Sequence, residues 1–190
     1  MSQGEKSFPW ETPLELWRGF ATLNPGWQGS VVSLYIAPRS AEPMIGVPEV
    51  RAFRDRGLEG DRFFRESWSA ANRSDKAVSL IEEETVQTAA AELGIAVFTE
   101  KTRRNIVTRG VPLKELLGRE FLVGGIVMRG IRLFEPCAHL EKLSNIAGIF
   151  RTLEHRSGLK AAIISDGVIR VNDLVVLRPA IHSTAGSGAL

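Results

Sequence analysis

From Asn105 onward the chain is a series of short apolar runs, at 105–108, 120–123, 126–134, 161–165, 168–171 and 174–177, set apart by glycines and polar residues. Runs of this length and composition read as strands, and Gly167 supplies a tight turn between two of them. The stretch 143–153 breaks the pattern and reads as a helix joining two β-rich parts. Many short strands with few helices indicate a mainly β architecture with helices, of the α+β class: a β-barrel or closed sheet decorated by helices.

The first half supplies the remaining elements. Residues 30–36 carry β-branched and aromatic side chains suited to a strand, 47–53 alternate well enough for a second, and Ala37-Pro38-Arg39-Ser40 is the turn between them. Residues 76–81 read as a strand running into Glu82-Glu83-Glu84, acids placed where a helix N-terminus favours negative charge. That helix ends at Gly94 and buries Val86, Ala89, Ala90 and Leu93. Near the N-terminus, Thr12-Pro13-Leu14-Glu15 has the form of a capping box with proline at the first helical position. The expected organisation is a helical appendage over 1–26, a barrel domain over 27–179 and a loose tail over 180–190.

A chain of 190 residues with 44% hydrophobic and 24% charged residues is long enough for a full core without staples. Its 24 basic and 22 acidic side chains leave a net charge of +2, too weak a field to point to a nucleic-acid or membrane partner. Residues 19–38 are uncharged but interrupted by proline, glycine and asparagine, so no membrane helix is expected. The N-terminus lacks the apolar run of a secretory signal, and one cysteine excludes an intrachain disulfide framework. A cytoplasmic protein is the expectation.

Three places concentrate reactive side chains. In Gly57-Leu58-Glu59-Gly60-Asp61-Arg62 the glycines permit unusual backbone angles and close ligand approach, and Arg62 offers a planar cation to an anion. A turn with Asp61 and Arg62 as a structural ion pair explains the same residues. Thr102-Arg103-Arg104-Asn105, at the entrance to an apolar run, is dense in donors suited to phosphate, and a solvated basic face is the alternative. Phe134-Glu135-Pro136-Cys137-Ala138-His139-Leu140 places the single cysteine just past a run and two residues before one of three histidines. Cys137 is there either a reactive thiol or a small core residue. Cys137 and His139 lack the second ligand pair that a zinc site needs.

Together these segments resemble the MOSC domain family in its standalone bacterial form, named for its relation to the C-terminal domain of molybdenum-cofactor sulfurases. The resemblance runs from about Gly29 to Leu177. It is carried by Leu34-Tyr35-Ile36-Ala37-Pro38, the 57–62 box, Arg103-Arg104-Asn105-Ile106, Leu116-Leu117-Gly118 with Phe121, and Pro136-Cys137. Arg156-Ser157-Gly158 and Asn172-Asp173 depart from the family's usual double glycine and Gly-Asp.

The resemblance implies a MOSC-type β-barrel holding a molybdenum cofactor (molybdopterin) through an anion-binding pocket and one cysteine thiolate. Carried over residue by residue, Cys137 is the metal ligand and a catalytic residue. Arg39, Ser40, Asp61, Arg62, Arg103, Asn105 and Cys137 bind the cofactor, with Asn105 as an orienting partner and Arg104 as a structural alternative. His139 is the candidate proton donor, and Glu135 a second. The implied activity is reduction of N-hydroxylated small molecules such as hydroxylaminopurines and amidoximes. Lacking an iron–sulfur cysteine cluster and a Rossmann glycine motif, such a protein takes its electrons from a separate reductase. A sulfur-carrier or cofactor-delivery protein with a persulfide on Cys137 is the alternative, and a binding protein with a degenerate site is a third. The N-terminal helix either pairs two copies in a homodimer or covers an exposed edge.

Overall fold

The computed structural model describes residues 27–64, 78–136 and 139–178. The expected helix at 12–26, the tail from 179 and the start of the strand expected at 76 lie outside these residues.

The elements in chain order are β1 Gly29–Ile36, β2 Ile45–Val47, β3 Glu49–Phe53, β4 Gly57–Leu58, β5 Val78–Glu82 and α1 Glu83–Leu93. They continue with β6 Ile106–Arg109, β7 Glu120–Val123, β8 Ile126–Leu133, α2 His139–Ser144, α3 Ile149–Leu153, β9 Leu159–Ile163, β10 Gly167–Arg170 and β11 Leu174–Leu177. Strand order β11-β7-β8-β9-β5-β6-β1 closes on itself through a β1–β11 pairing, giving a seven-stranded barrel with β2 attached to the outside of β1. β10, β3 and β4 form a separate three-stranded sheet. The barrel is mixed because β5 and β6 are parallel, and α1 lies in the crossover that parallel neighbours require. Among the described residues no helix is long and apolar enough to cross a membrane.

Alternation along the strands sorts side chains into two cores. Val31, Leu34, Leu80, Ile106, Phe121 and Met128 fill the barrel interior. Their outward neighbours Ile81 and Val107 pack with Val86, Ala89, Leu140 and Ile149 beneath the helices. The three acids at the start of α1 do more than face its dipole. Glu83 pairs with Arg109 at 2.6 Å, while the carboxylates of Glu84 and Glu82 accept the N–H groups of Gly110 and Leu113, fastening the chain that leaves β6. On the far side of the barrel Glu120 takes Arg129 and Arg178, and hydrogen bonding to Arg129 leads in holding its carboxyl below the usual range.

Two expectations are corrected. The helix expected over 143–153 is two short helices, α2 and α3, because Asn145 and Gly148 both adopt left-handed backbone, φ +56° and +82°. The Glu141 carboxylate accepts the N–H groups of Gly148 and Phe150 and so serves the start of α3 from within α2. The strand expected over 47–53 is split at Pro48, whose missing N–H ends the pairing, with β2 on the barrel and β3 in the small sheet.

Gly158, at φ +102°, is the point where backbones meet most closely: a Cβ there would lie 1.9 Å from the Leu80 carbonyl oxygen. Gly158→Ala should therefore destabilise the protein by about 2 kcal/mol or more, through backbone strain plus displacement of β5 from β9. Urea unfolding of the variant measures this, and an unchanged midpoint would contradict the close approach.

Candidate functional site

The site grows from a polar row on the outer barrel wall. On β5 Ser79 is paired with Lys160 of β9, and Lys160 with Arg132 of β8; on the other side Asn105, at the mouth of β6, sits against Ser79. Where the wall beneath the helices is apolar, this row is polar, and it carries a pocket bounded on one side by α2.

Asn105 and Asp61 are the buried centre. The Asn105 amide oxygen accepts the Ser79 N–H at 3.2 Å and the Ser79 hydroxyl at 2.8 Å, while its Nδ2 donates to the Tyr35 carbonyl at 3.1 Å and to Asp61 Oδ1 at 3.2 Å. Asp61 Oδ1 also accepts the Ala37 N–H, Oδ2 accepts the Phe63 N–H, and the Ala37 carbonyl accepts the Arg62 N–H at 2.7 Å. Both glycines of the 57–62 box stand at positive φ, +104° and +77°. The box thus wraps its aspartate into the wall and leaves Arg62 and Phe63 facing a cavity of about 200 Å³.

Four cations line that cavity. Arg62 Nη1 lies 3.6 Å from Asp61 Oδ1, and its guanidinium stacks 4.6 Å from the Phe63 ring centre. Arg103 donates to the Glu42 carbonyl at 2.7 Å and adopts left-handed backbone, φ +60°. That turn breaks strand alternation, so the adjacent Arg104 lines the same cavity. Arg104 is 3% exposed, donates to the Ser157 carbonyl and hydroxyl and the Thr102 carbonyl, and lies 3.6 Å over Phe134. Lys160 is the fourth, against Phe134 and Phe63. Ser40 and Ser79 add hydroxyls, and Leu140 and Leu143 of α2 form an apolar wall.

The structure therefore brings Ser40, Arg62 and Arg103 to one cavity and sets Asp61 and Asn105 behind it as scaffold. Arg39 is not brought there: its side chain is 84% exposed and pairs with Glu42 at 3.3 Å. His139 opens α2 with an exposed side chain and does not line the cavity. Glu135 faces His155, accepting its N–H at 3.0 Å. Cys137 lies outside the described residues; Phe134 and Leu140, on either side of it in the chain, both line the cavity. Sequence reasoning missed Lys160, Ser79 and the two phenylalanines. The available signal was a lysine at the head of an otherwise apolar run, Leu159-Lys160-Ala161-Ala162-Ile163.

Arginines, a lysine and hydroxyls, with no carboxylate among the described lining residues, make a donor set that suits an anionic, hydrogen-bond-accepting group such as a phosphate. It does not suit a bare hard metal ion, and among the described residues no group of three or more His, Cys, Asp or Glu is placed to hold one.

A family model, the MOSC domain, matches residues 55–176. The fold is similar to the crystal structure of the YuaD protein from Bacillus subtilis, with a TM-score of 0.66 and 15% identity over 78% of this chain and 96% of that one. It is similar to YiiM from Geobacillus stearothermophilus at a TM-score of 0.61 and 14% identity, covering 80% of this chain and 75% of that one. YiiM from Escherichia coli gives a TM-score of 0.58 and 20% identity over 81% of this chain and 71% of that one. At such identities the likeness is one of fold. No curated protein matches the chain by sequence.

Asn105→Asp tests the buried centre. It replaces an amide donor 3.2 Å from Asp61 Oδ1 by a second carboxylate, and like charges at that separation repel. The variant should be less stable than wild type by about 3 kcal/mol at neutral pH, and should regain part of the loss in acid, where one carboxyl of the pair is protonated. Thermal unfolding as a function of pH measures both; a loss that is constant from neutral to acid pH would contradict the contact.

Proposed function

The chain belongs to the MOSC domain family, and on that premise we propose that it is a molybdenum-cofactor-binding oxidoreductase that reduces N-hydroxylated small molecules with electrons from a separate reductase protein. The family is associated with molybdenum-cofactor binding. The observation that carries the proposal is the convergence of Arg62, Arg103 and Ser40 on one cavity whose wall includes both flanks of the Cys137 segment, Phe134 and Leu140.

In this reading Arg62 and Arg103 hold the anionic group of the cofactor by charge-assisted hydrogen bonds, and the Ser40 hydroxyl donates a further one. Asp61 orients Arg62 from behind, and the Glu42 carbonyl orients Arg103. Cys137 supplies a soft thiolate, the one ligand a molybdenum already bound by a dithiolene still needs from protein. When bound, the cofactor supplies the two-electron chemistry that breaks an N–O bond. Overall an N–OH group, two electrons and two protons give N–H and water. Neither His139, exposed and outside the cavity lining, nor Glu135, whose carboxylate is taken up by His155, is given the proton-donor role in this reading. Leu140 and Leu143 limit water on that side of the cavity.

Elemental analysis of protein purified from a host that makes the cofactor tests the proposal. Wild type should carry molybdenum in stoichiometric amount, Cys137→Ala should lose it, and Arg103→Ala should retain less, having lost a charge-assisted bond worth about 1.5–3 kcal/mol. Wild-type protein without molybdenum but with reductant-labile sulfur on Cys137 would replace this reading by sulfur carriage.

A further inference from the structure

Among the described residues the most exposed large apolar side chain is Phe98, at 63%, and Ile95 three positions before it is 48% exposed. Both lie in the connection from α1 to the short turn Thr99–Thr102 that leads to Arg103. That connection is fastened to β1, because the hydroxyls of Tyr35 and Thr99 share a hydrogen bond of 2.8 Å. A register shift between Val31 and Ser33 lets both Val32 and Tyr35 face outward, half-buried against Leu93 and Val97. Opposite Tyr35 on β2 is Gly46, where a Cβ would lie 3.5 Å from the ring, so β2 brings no side chain of its own over that ring. The outside of β1 is thus an apolar strip that ends at Tyr35, Ile95 and Phe98, and apolar surface gathered in this way marks a docking place.

The course of the chain says what covers it. Ser30 of β1 pairs with Arg109 and Leu34 with Ile106, while α1 begins against Arg109 through Glu83 and ends with Leu93 in the cluster that Tyr35 joins. β1 and α1 therefore start at one end of the barrel and finish at the other. Trp27, packed against the barrel core, fixes the point where the preceding chain arrives, at their common start. Residues 1–26 lie outside the described ones, and their sequence has a helical pattern: Trp10, Leu14, Trp17 and Ala21 share one face with Phe20 beside them, and Glu11, Glu15 and Arg18 lie opposite. A helix over 13–24 is about 18 Å long. The strand from Gly29 to Tyr35 covers about 20 Å. Only Pro25 and Gly26 stand between that helix and Trp27, and so short a connection joins antiparallel neighbours of the same chain.

We propose that residues 12–24 fold back as a helix along the outside of β1, antiparallel to it, and that Leu14 and Trp17 bury Ile95, Phe98 and Tyr35 while Phe20 and Ala21 cover Val32. The strip is thereby closed by the chain's own N-terminal segment rather than by a second copy.

A photoreactive benzoylphenylalanine in place of Phe98 in the full chain tests the contact, with unlabelled and nitrogen-15-labelled protein mixed before irradiation. Cross-links should run from position 98 to the peptide holding residues 10–24 and join peptides of one label only. Pairs of mixed label would hand the strip to a second copy, and cross-links that miss this peptide would remove the segment from it; either result overturns the proposal. Thermal unfolding gives a second reading. Uncovered, Phe98→Ser is a surface change that leaves the melting temperature nearly unmoved. Covered as proposed, Phe98→Ser and Trp17→Ser should each lower it by about 4 °C or more, and the double variant by little more than the larger single loss, because the two remove one contact. An unmoved Phe98→Ser, or single losses that simply add, overturns the proposal. Both tests read no metal, so the molybdenum content of the protein does not bear on their outcome.

Discussion

Asp61 is one buried carboxylate on which four chain segments depend. It accepts the N–H groups of Ala37 and Phe63 and the Asn105 side-chain amide, and stands 3.6 Å from the Arg62 guanidinium. A carboxylate taken out of water loses several kcal/mol of solvation, and only a full set of donors in good geometry offsets that. Here the donors come from the end of β1, from its own turn and from the mouth of β6, and Asn105 passes the connection on to Ser79 of β5. In the arrangement that satisfies Asp61, Arg62, Arg103 and Ser40 line one cavity. The polar lock therefore does what an apolar contact could not, because hydrogen bonds specify direction as well as proximity.

The position of the pocket on the outer wall follows from the size of the barrel. A barrel of about this many strands has an interior only wide enough for side chains, and Leu34, Leu80, Phe121 and Met128 fill it. Ligand chemistry must then use outward positions. Strand alternation supplies these in rows, and two kinds of outward row occur. Ile81 and Val107 are apolar and covered by α1 to α3; Ser79 and Lys160 are polar and line the cavity, which α2 bounds on one side, with Asn105 buried against Ser79. A shift of one residue in the register of β5 would turn Ser79 and Ile81 into the barrel interior and Leu80 out of it, so the register and the site are specified together.

Much of the fold was legible because short apolar runs declare strands directly: β6, β7, β8, β9, β10 and β11 fall within two residues of the runs in the sequence. The misreadings have local causes. Pro48 sits inside an alternating stretch and changes sheets rather than continuing a strand, and Asn145 and Gly148 stop a helix whose apolar spacing continues past them. In the site, Arg62 and Arg103 were singled out by the family resemblance, because the residues alone fitted a structural ion pair and a solvated basic face equally well, and Arg62 does stand 3.6 Å from Asp61. Arg39 has the same chemistry and a neighbouring serine in the cavity, yet points to Glu42 outside it, since a turn residue's direction depends on backbone angles that residue type does not reveal. Lys160 was hidden for the opposite reason: it looks like an ordinary outward lysine until the pairing of β9 with β5 and β8 is known.

The cations around the cavity also show why arginine dominates there. Arg62 stacks on Phe63 and Arg104 on Phe134, with Lys160 facing both rings, so cations and aromatic faces alternate along the lining. Guanidinium is planar and weakly hydrated, and it keeps in-plane donors available while its face rests on a phenyl ring. Arg104 uses those donors inward, on Thr102 and Ser157, and through them ties the start of β6 to the turn before β9. The same turn reaches Phe134, whose N–H donates to the Gly158 carbonyl at 2.8 Å. Phe134 is thus fixed on two sides, by Arg104 against its face and by the backbone at its root. Three residues before Cys137 the chain is held at both backbone and ring, so the last aromatic residue ahead of the single cysteine is kept in the cavity wall by contacts with the start of β6 and with the turn before β9.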